Sequence, residues 1–204
     1  MQSIIDNART FATTLVADPE RAERLRALEA GQSPEVLFIS CADSRVIPAL
    51  ITGADPGQLF ELRTAGNIVP DYHSARPTGE AATIEYAVSV LGVRDIVVCG
   101  HSHCGAVGAV VRGDDLSSVP AVRGWLEHSL PADAPARTVN SASPDMAEAV
   151  QRHAIAQLDT LRTYPCIREQ IDRGQLALHA WYYEVHTGVV SAQRPDGVLP
   201  FPPL

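Results

Sequence analysis

The stretch "DIVVCGHSHCGAVGAVVRG", residues 95–113, changes character twice. It starts as a short apolar run, "DIVVCG", of the length and composition of a buried strand. It passes through the polar tripeptide "HSH" and continues as "GAVGAVVRG", which reads as a helix of small residues. A strand that feeds a helix through a tight turn is the building unit of a parallel α/β sheet.

The flanking sequence repeats the pattern. "EVLFIS" (35–40) follows Ser33-Pro34 and reads as a second buried strand. "LFELRTAG" (59–66) reads as a third, after the turn signal Asp55-Pro56-Gly57. In "PTGEAATIEYAVSVLGV" (77–93), Ile84, Ala87, Val88 and Leu91 recur at helical spacing, with Gly92 near the end. Residues 3–30 read as helical up to Gly31. Residues 113–145 are rich in Pro, Ser, Ala and Asp, with "GWLEHSL" as a short helix. Ser143-Pro144 opens a helix to about Thr163, and another follows Pro165 and stops at Gly174. "LALHAWYYEV" (176–185) reads as a strand, and "GVVSAQ" returns as its hairpin partner across "HTG". The expected fold is therefore α/β: a central, mostly parallel sheet flanked by helices, with a C-terminal edge strand or hairpin. Residues 1–204 read as a single domain, with 1–31 as an extended N-terminal helical arm.

A chain of 204 residues, 46% of them hydrophobic, can bury a sizeable core. The 24 acids outnumber 16 bases, for a net charge of −8, which argues against a nucleic-acid footprint. "MQSIIDNARTFATT" has no basic stretch leading into a long apolar run, so neither an export signal nor a membrane span is expected. Four cysteines do not make a disulfide scaffold in a chain of this length. Reduced thiols and a cytoplasmic location are the expectation.

Cys99, His101, His103 and Cys104 crowd four potential metal ligands into six positions. A tetrahedral zinc site needs four ligands, and a single turn does not supply them easily. His101 and Cys104 are separated by two residues, a workable spacing. Cys104 also falls at a helix start, where the dipole favours a thiolate. A third ligand is available in "SCADSRV" (40–46), because Cys41 directly follows the strand "EVLFIS". Pairing of strands 35–40 and 95–99 would bring Cys41 and His101 together at their carboxyl ends, where α/β sheets collect ligands. Asp43 or a water would be the fourth ligand. Arg45, two residues on, can instead hold Asp43 in a bidentate pair and leave a position for water, the catalytic type of zinc site. Each residue alone has an ordinary reading: a cysteine as a small core hydrophobe, a histidine or an Asp–Arg pair as structure. Only the combination points to chemistry. Cys99 is assigned to the strand core, His103 to a surface or pocket rim, and Cys166 has no ligand-spaced partner. His153, His179 and His186 read as structural or solvated.

"CADSRV" resembles the Cys-x-Asp-x-Arg motif of the β-class carbonic anhydrases, and "GHSHCGAV" resembles their His-x-x-Cys motif, in the same order and at a matching separation. "RTAGN" (63–67) is similar to the segment between them, and the likeness runs from about Gly31 to "LALHAWYYEV". The resemblance implies that Cys41, His101 and Cys104 bind Zn2+ and that Asp43 and Arg45 are the catalytic dyad. Asp43 is the alternative fourth ligand of a closed, inactive state. The resemblance also implies reversible hydration of carbon dioxide to bicarbonate and a proton by zinc-bound hydroxide. Gln32, Phe60, Tyr86 and Gly105 would then contact substrate, with Val69 as a further apolar wall. Gln32, Phe60 and Tyr86 match the plant-like branch, in which the cleft lies at a dimer interface. A homodimer or larger homo-oligomer is implied. Phe38 stands where chains with an inhibitory bicarbonate site carry Trp, so no such site is expected although Arg63 is present. His73, His103 and Tyr86 are candidate proton carriers. The rival readings are hydrolysis of carbonyl sulfide or carbon disulfide on the same scaffold, a structural zinc protein, and a thiol redox protein. The last lacks a Cys-x-x-Cys pair.

Overall fold

The structure is a computed structural model that describes residues 1–127, 144–195 and 197–204. Two compact units divide the chain, Met1–Ser33 and Pro34–Leu204. The first holds helix α1 (Gln2–Val16), helix α2 (Pro19–Ala27) and a 3-10 turn at Leu28–Ala30. The sequence predicts one helical segment here. It is broken because Pro19 cannot continue a helix, having no N–H and a ring that clashes with the preceding turn. Asp18 restarts it by accepting a hydrogen bond from the Arg21 N–H at 3.0 Å.

The second unit is built on five strands: β1 (Val36–Cys41), β2 (Leu59–Thr64), β3 (Asp95–His101), β4 (Ala177–Tyr183) and β5 (Val190–Ala192). Their order in the sheet is β2-β1-β3-β4-β5. The first four are parallel, and β5 returns antiparallel to β4, as the predicted C-terminal hairpin. In chain order the helices are α3 (Pro48–Thr52), α4 (Gly79–Ser89), α5 (Gly105–Arg112), α6 (Pro120–Leu126), α7 (Pro144–Thr163) and α8 (Pro165–Asp172). The "GWLEHSL" helix starts earlier than expected, at Pro120, and its residues 128–130 lie outside the described ones. The predicted strand 59–66 stops at Thr64, because Gly66 turns the chain with φ of 75°.

The apolar runs of β1 and β3 are buried on both faces, which explains why they show no polar alternation. One face joins Leu37, Ile39, Ile96 and Val98 to Ile84 of α4, Leu158 of α7 and Ile167 of α8. The other carries a smaller cluster around Phe38, Val97 and Cys99. Phe38 packs edge-on against Trp181, with ring centroids 5.8 Å apart.

This topology fixes the place of the site. From β1 the chain crosses to β2 on one side, and β3 lies on the other, so the direction of winding reverses between β1 and β3. Their parallel register sets Val36 opposite Asp95 and Ser40 opposite Cys99. The carboxyl ends of the two strands, Cys41 and His101, therefore open side by side at the switch point, where such sheets hold ligands.

Candidate metal centre

The ligand atoms of Cys41, His101 and Cys104 all lie within 4.8 Å of one another, and all three residues are buried. Among the described residues no other His, Cys, Asp or Glu group gathers in this way. Each member arrives on a different local structure. Cys41 ends β1, and His101 ends β3. Cys104 is the N-cap of α5, reached through a turn in which His103 takes a left-handed φ of 58°.

The protonation of this cluster suits a cation. His101 Nδ1 lies 2.9 Å from the Ser102 carbonyl oxygen, which can only accept, so Nδ1 carries the proton. Nε2 is then a bare lone pair, and it is buried with no hydrogen-bond partner. Ser102 is itself pinned, its N–H donating to Tyr183 O and its Oγ accepting from Val185 N–H, each at 2.9 Å. A metal ligand whose other ring nitrogen binds a backbone carbonyl has its ring orientation set in advance.

The two thiols share their protons unequally. Cys41 is held well below the usual thiol range, chiefly by a hydrogen bond from Cys104 and against its own burial. The backbone N–H groups of Gly66 and Asp43 add to the effect. Cys104 is pushed up, first by the same thiol pair and then by burial. A buried pair of this kind becomes two thiolates only when a positive charge sits between them. The donor set of two sulfurs and one imidazole nitrogen is that of a zinc site, and the orphaned Nε2 fits it.

Asp43 stands beside the cluster without joining it. Arg45 donates to both of its carboxylate oxygens, Nε to Oδ1 at 2.9 Å and Nη2 to Oδ2 at 2.7 Å. The Arg45 backbone N–H donates to Oδ1 as well, at 3.0 Å. The guanidinium holds the Asp43 carboxyl far below the ordinary carboxylate range. Asp43 Oδ2 remains 4.0 Å from His101 Nε2. Arg45 Nη2 also reaches the His103 carbonyl at 3.2 Å, which ties the β1 loop to the β3 loop.

Two parts of the site were not legible in the sequence. Arg63, opposite Ser40 in the register, turns its Nη2 onto the carbonyls of Cys41 (3.1 Å), Asp43 (2.7 Å) and Val46 (2.7 Å). It shapes the loop that presents Asp43. Gly66 donates its N–H to Cys41 Sγ at 3.4 Å. The glycine in "RTAGN" was the one visible signal for that contact.

The remaining predicted residues are spread out. A Cβ on Gly105 would meet nothing within 4 Å, so open space adjoins the residue after Cys104. Phe60 and Tyr86 face each other at 6.0 Å between centroids. Phe60 pairs with Leu37, four residues or about 13 Å before Cys41 along the sheet, so these aromatics are not beside the cluster of their own chain. Val69 is buried and donates to Gln157 Oε1 at 2.7 Å. Gln32 is exposed and belongs to the first unit. His73 is exposed, and His103 is half-buried with its ring 6.2 Å from that of His186. Cys99 lies in the smaller core cluster, with its thiol pushed up to about 12 by burial. Cys166 packs against the main core. His179 pairs with Asp95 at 2.7 Å. His153 is wholly buried, and its Nε2 lies 2.7 Å from the Gly66 carbonyl oxygen.

The family model "Carbonic anhydrase" matches residues 36–190. The chain is 47% identical over 198 residues to a carbonic anhydrase of Pseudomonas aeruginosa, covering 94% of this chain and 87% of that one. It is similar in structure to the β-carbonic anhydrase CcaA, with a TM-score of 0.85 and 38% identity over 99% of this chain and 92% of that one. A solved structure among two tetrameric β-carbonic anhydrases from the ascomycete Sordaria macrospora gives a TM-score of 0.71 at 27% identity, over 94% of each chain. These matches span both motifs that form the cluster, and the chain belongs to the carbonic anhydrase family, in its β class.

Proposed function

We propose that this chain catalyses the reversible hydration of carbon dioxide to bicarbonate and a proton, on a zinc ion held by Cys41, His101 and Cys104. The observation that carries the reading is the buried, unpartnered Nε2 of His101, whose ligand atom lies within 4.8 Å of the sulfurs of Cys41 and Cys104. A zinc ion held there would make a hydroxide nucleophile available near neutral pH, because bound zinc lowers the pKa of water to about 7. Asp43, kept ionised by Arg45, is an acceptor only. It can therefore hold the hydrogen of an attacking oxygen and leave that oxygen's lone pair aimed at carbon. Arg45 occupies both oxygens of Asp43, which keeps the carboxylate off the metal position. The open space at Gly105 gives a small substrate room beside Cys104.

Gln32, Phe60 and Tyr86 are proposed substrate contacts of the plant-like type. The distance of Phe60, with Tyr86 beside it, from the cluster along its own strand supports the delivery of these two rings to a neighbouring subunit's site, and so a homo-oligomer. Residues 1–31 would serve as the arm of a one-domain enzyme. Among the described residues no helix is long and apolar enough to cross a membrane. Thiol ligands need a reducing surrounding, which supports a cytoplasmic location.

The test is zinc quantification together with carbon dioxide hydration measured across pH. A stoichiometric zinc with activity rising through neutral pH is expected. Zinc-loaded protein that hydrolyses carbonyl sulfide but leaves carbon dioxide untouched would move the activity to the rival substrate. A structural zinc site would need a fourth protein ligand, and the committed oxygens of Asp43 speak against it.

A further inference from the structure

The Gly66 N–H that reaches Cys41 belongs to the peptide joining Ala65 and Gly66. The carbonyl of that same peptide, Ala65 O, accepts a hydrogen bond from Trp125 Nε1–H of α6 at 2.8 Å. In a trans peptide the C=O and N–H point in opposite directions. Trp125 therefore holds the far end of the very group whose near end touches the sulfur. The next peptide is held too. Gly66 O lies 2.7 Å from His153 Nε2 of α7, and a carbonyl can only accept, so His153 donates. His153 is buried, and Gln157, one turn on, uses Oε1 to accept from the Val69 N–H.

Gly66 does not fix its own direction. Its φ of 75° is a conformation L side chains rarely adopt, and a Cβ there would lie 3.0 Å from the Ala106 Cβ. A glycine is required, and a glycine by itself is the least constrained residue in the chain. Its two flanking peptides must be fixed from outside for the N–H to stay on target.

We propose that Trp125 and His153 are positioning residues for the Cys41 thiolate: their two N–H groups clamp the peptides on either side of the Gly66 α-carbon and hold the Gly66 N–H on Cys41 Sγ. The consequence is a thiolate with part of its charge already drawn off and its direction fixed. Both effects govern how tightly the cluster keeps a metal. The proposal rests on the reading of Cys41 as a metal ligand.

Cobalt(II) uptake by the full chain tests it, because thiolate-to-cobalt absorption reports on the sulfur without reference to activity. Zinc release to a coloured chelator gives the affinity. His153→Leu should weaken zinc binding by about 10-fold or more, the usual effect of losing an outer partner of a metal ligand. It should also move the thiolate-to-cobalt band to longer wavelength, because a sulfur without its N–H donor gives up an electron more easily. Trp125→Phe keeps the ring packing, removes only the N–H, and should shift the band in the same direction. His153→Gln can place an amide N–H where Nε2 stood and should restore the band. If His153→Leu does not fold, Trp125→Phe against His153→Gln makes the same comparison. Variants that melt earlier but keep the wild-type band and zinc release would overturn the proposal. A wild-type chain that takes up no cobalt would instead remove the metal reading, a result seen before any variant is compared.

Discussion

Arg45 grips Asp43 by both carboxylate oxygens, at 2.9 and 2.7 Å, while Oδ2 of Asp43 stays 4.0 Å from Nε2 of His101. The aspartate is thus close enough to serve a nucleophile at the cluster and too committed to replace it. Removing the fork should release the carboxylate. Arg45→Gln is expected to keep zinc and lose about 10- to 100-fold in kcat/KM. Arg45→Lys keeps the charge without the planar fork and should recover only part of the loss. Hydration kinetics on zinc-matched samples check this, and full activity in Arg45→Gln would remove Asp43 orientation from the account.

Arg63 makes a stability prediction with a catalytic echo. Its guanidinium satisfies three loop carbonyls between Cys41 and Val46. Arg63→Met should cost about 1–2 kcal/mol in urea unfolding, a value reduced because the residue is largely exposed. The same variant should lower kcat, because the Asp43 carbonyl loses its anchor. A variant with unchanged stability and rate would show that the loop holds its shape unaided.

Cys99 gives a prediction in pH. Burial raises its thiol to about 12, against roughly 8.5 for an unfolded cysteine. A folded-state value above the unfolded one contributes stability that is fully present below about pH 8.5. That contribution is lost as pH rises toward the folded value, because the unfolded chain ionises first. Cys99→Ala should cost about 1–2 kcal/mol at pH 7.5 from the cavity it leaves. The gap between wild type and variant should narrow by about 1 kcal/mol between pH 8.5 and 9.5. Unfolding free energies at those pH values decide it, and a constant gap would contradict the burial of a neutral thiol.

The parallel core of the sheet was readable because its strands are short apolar runs, and "EVLFIS" and "DIVVCG" cannot be amphipathic helices. Cys41 and His101 meet as expected once those two runs pair in register. The break at Pro19 could have been read from Asp18-Pro19, a capping signal inside a helical pattern. Helix α3 was missed because its "PALIT" is too short to show a period.

The supports of the site were harder to see. Arg63 serves the cluster only through its register beside β1, and an arginine in a strand pattern carries no sign of which carbonyls it will meet. His153 lies 87 residues from Gly66 in sequence, on a helix whose packing no local pattern specifies. Phe60 and Tyr86 were placed together in a pocket by resemblance. They do touch each other, but far down the strand from the cysteines of the same chain.

The most direct measurement is zinc content and carbon dioxide hydration in the wild-type chain and in Cys104→Ala, side by side. About one zinc per wild-type chain, with activity, is expected. Metal and activity should be lost together in the variant, whose remaining thiolate and imidazole make too few ligands. Full hydration activity in zinc-free Cys104→Ala would contradict this expectation.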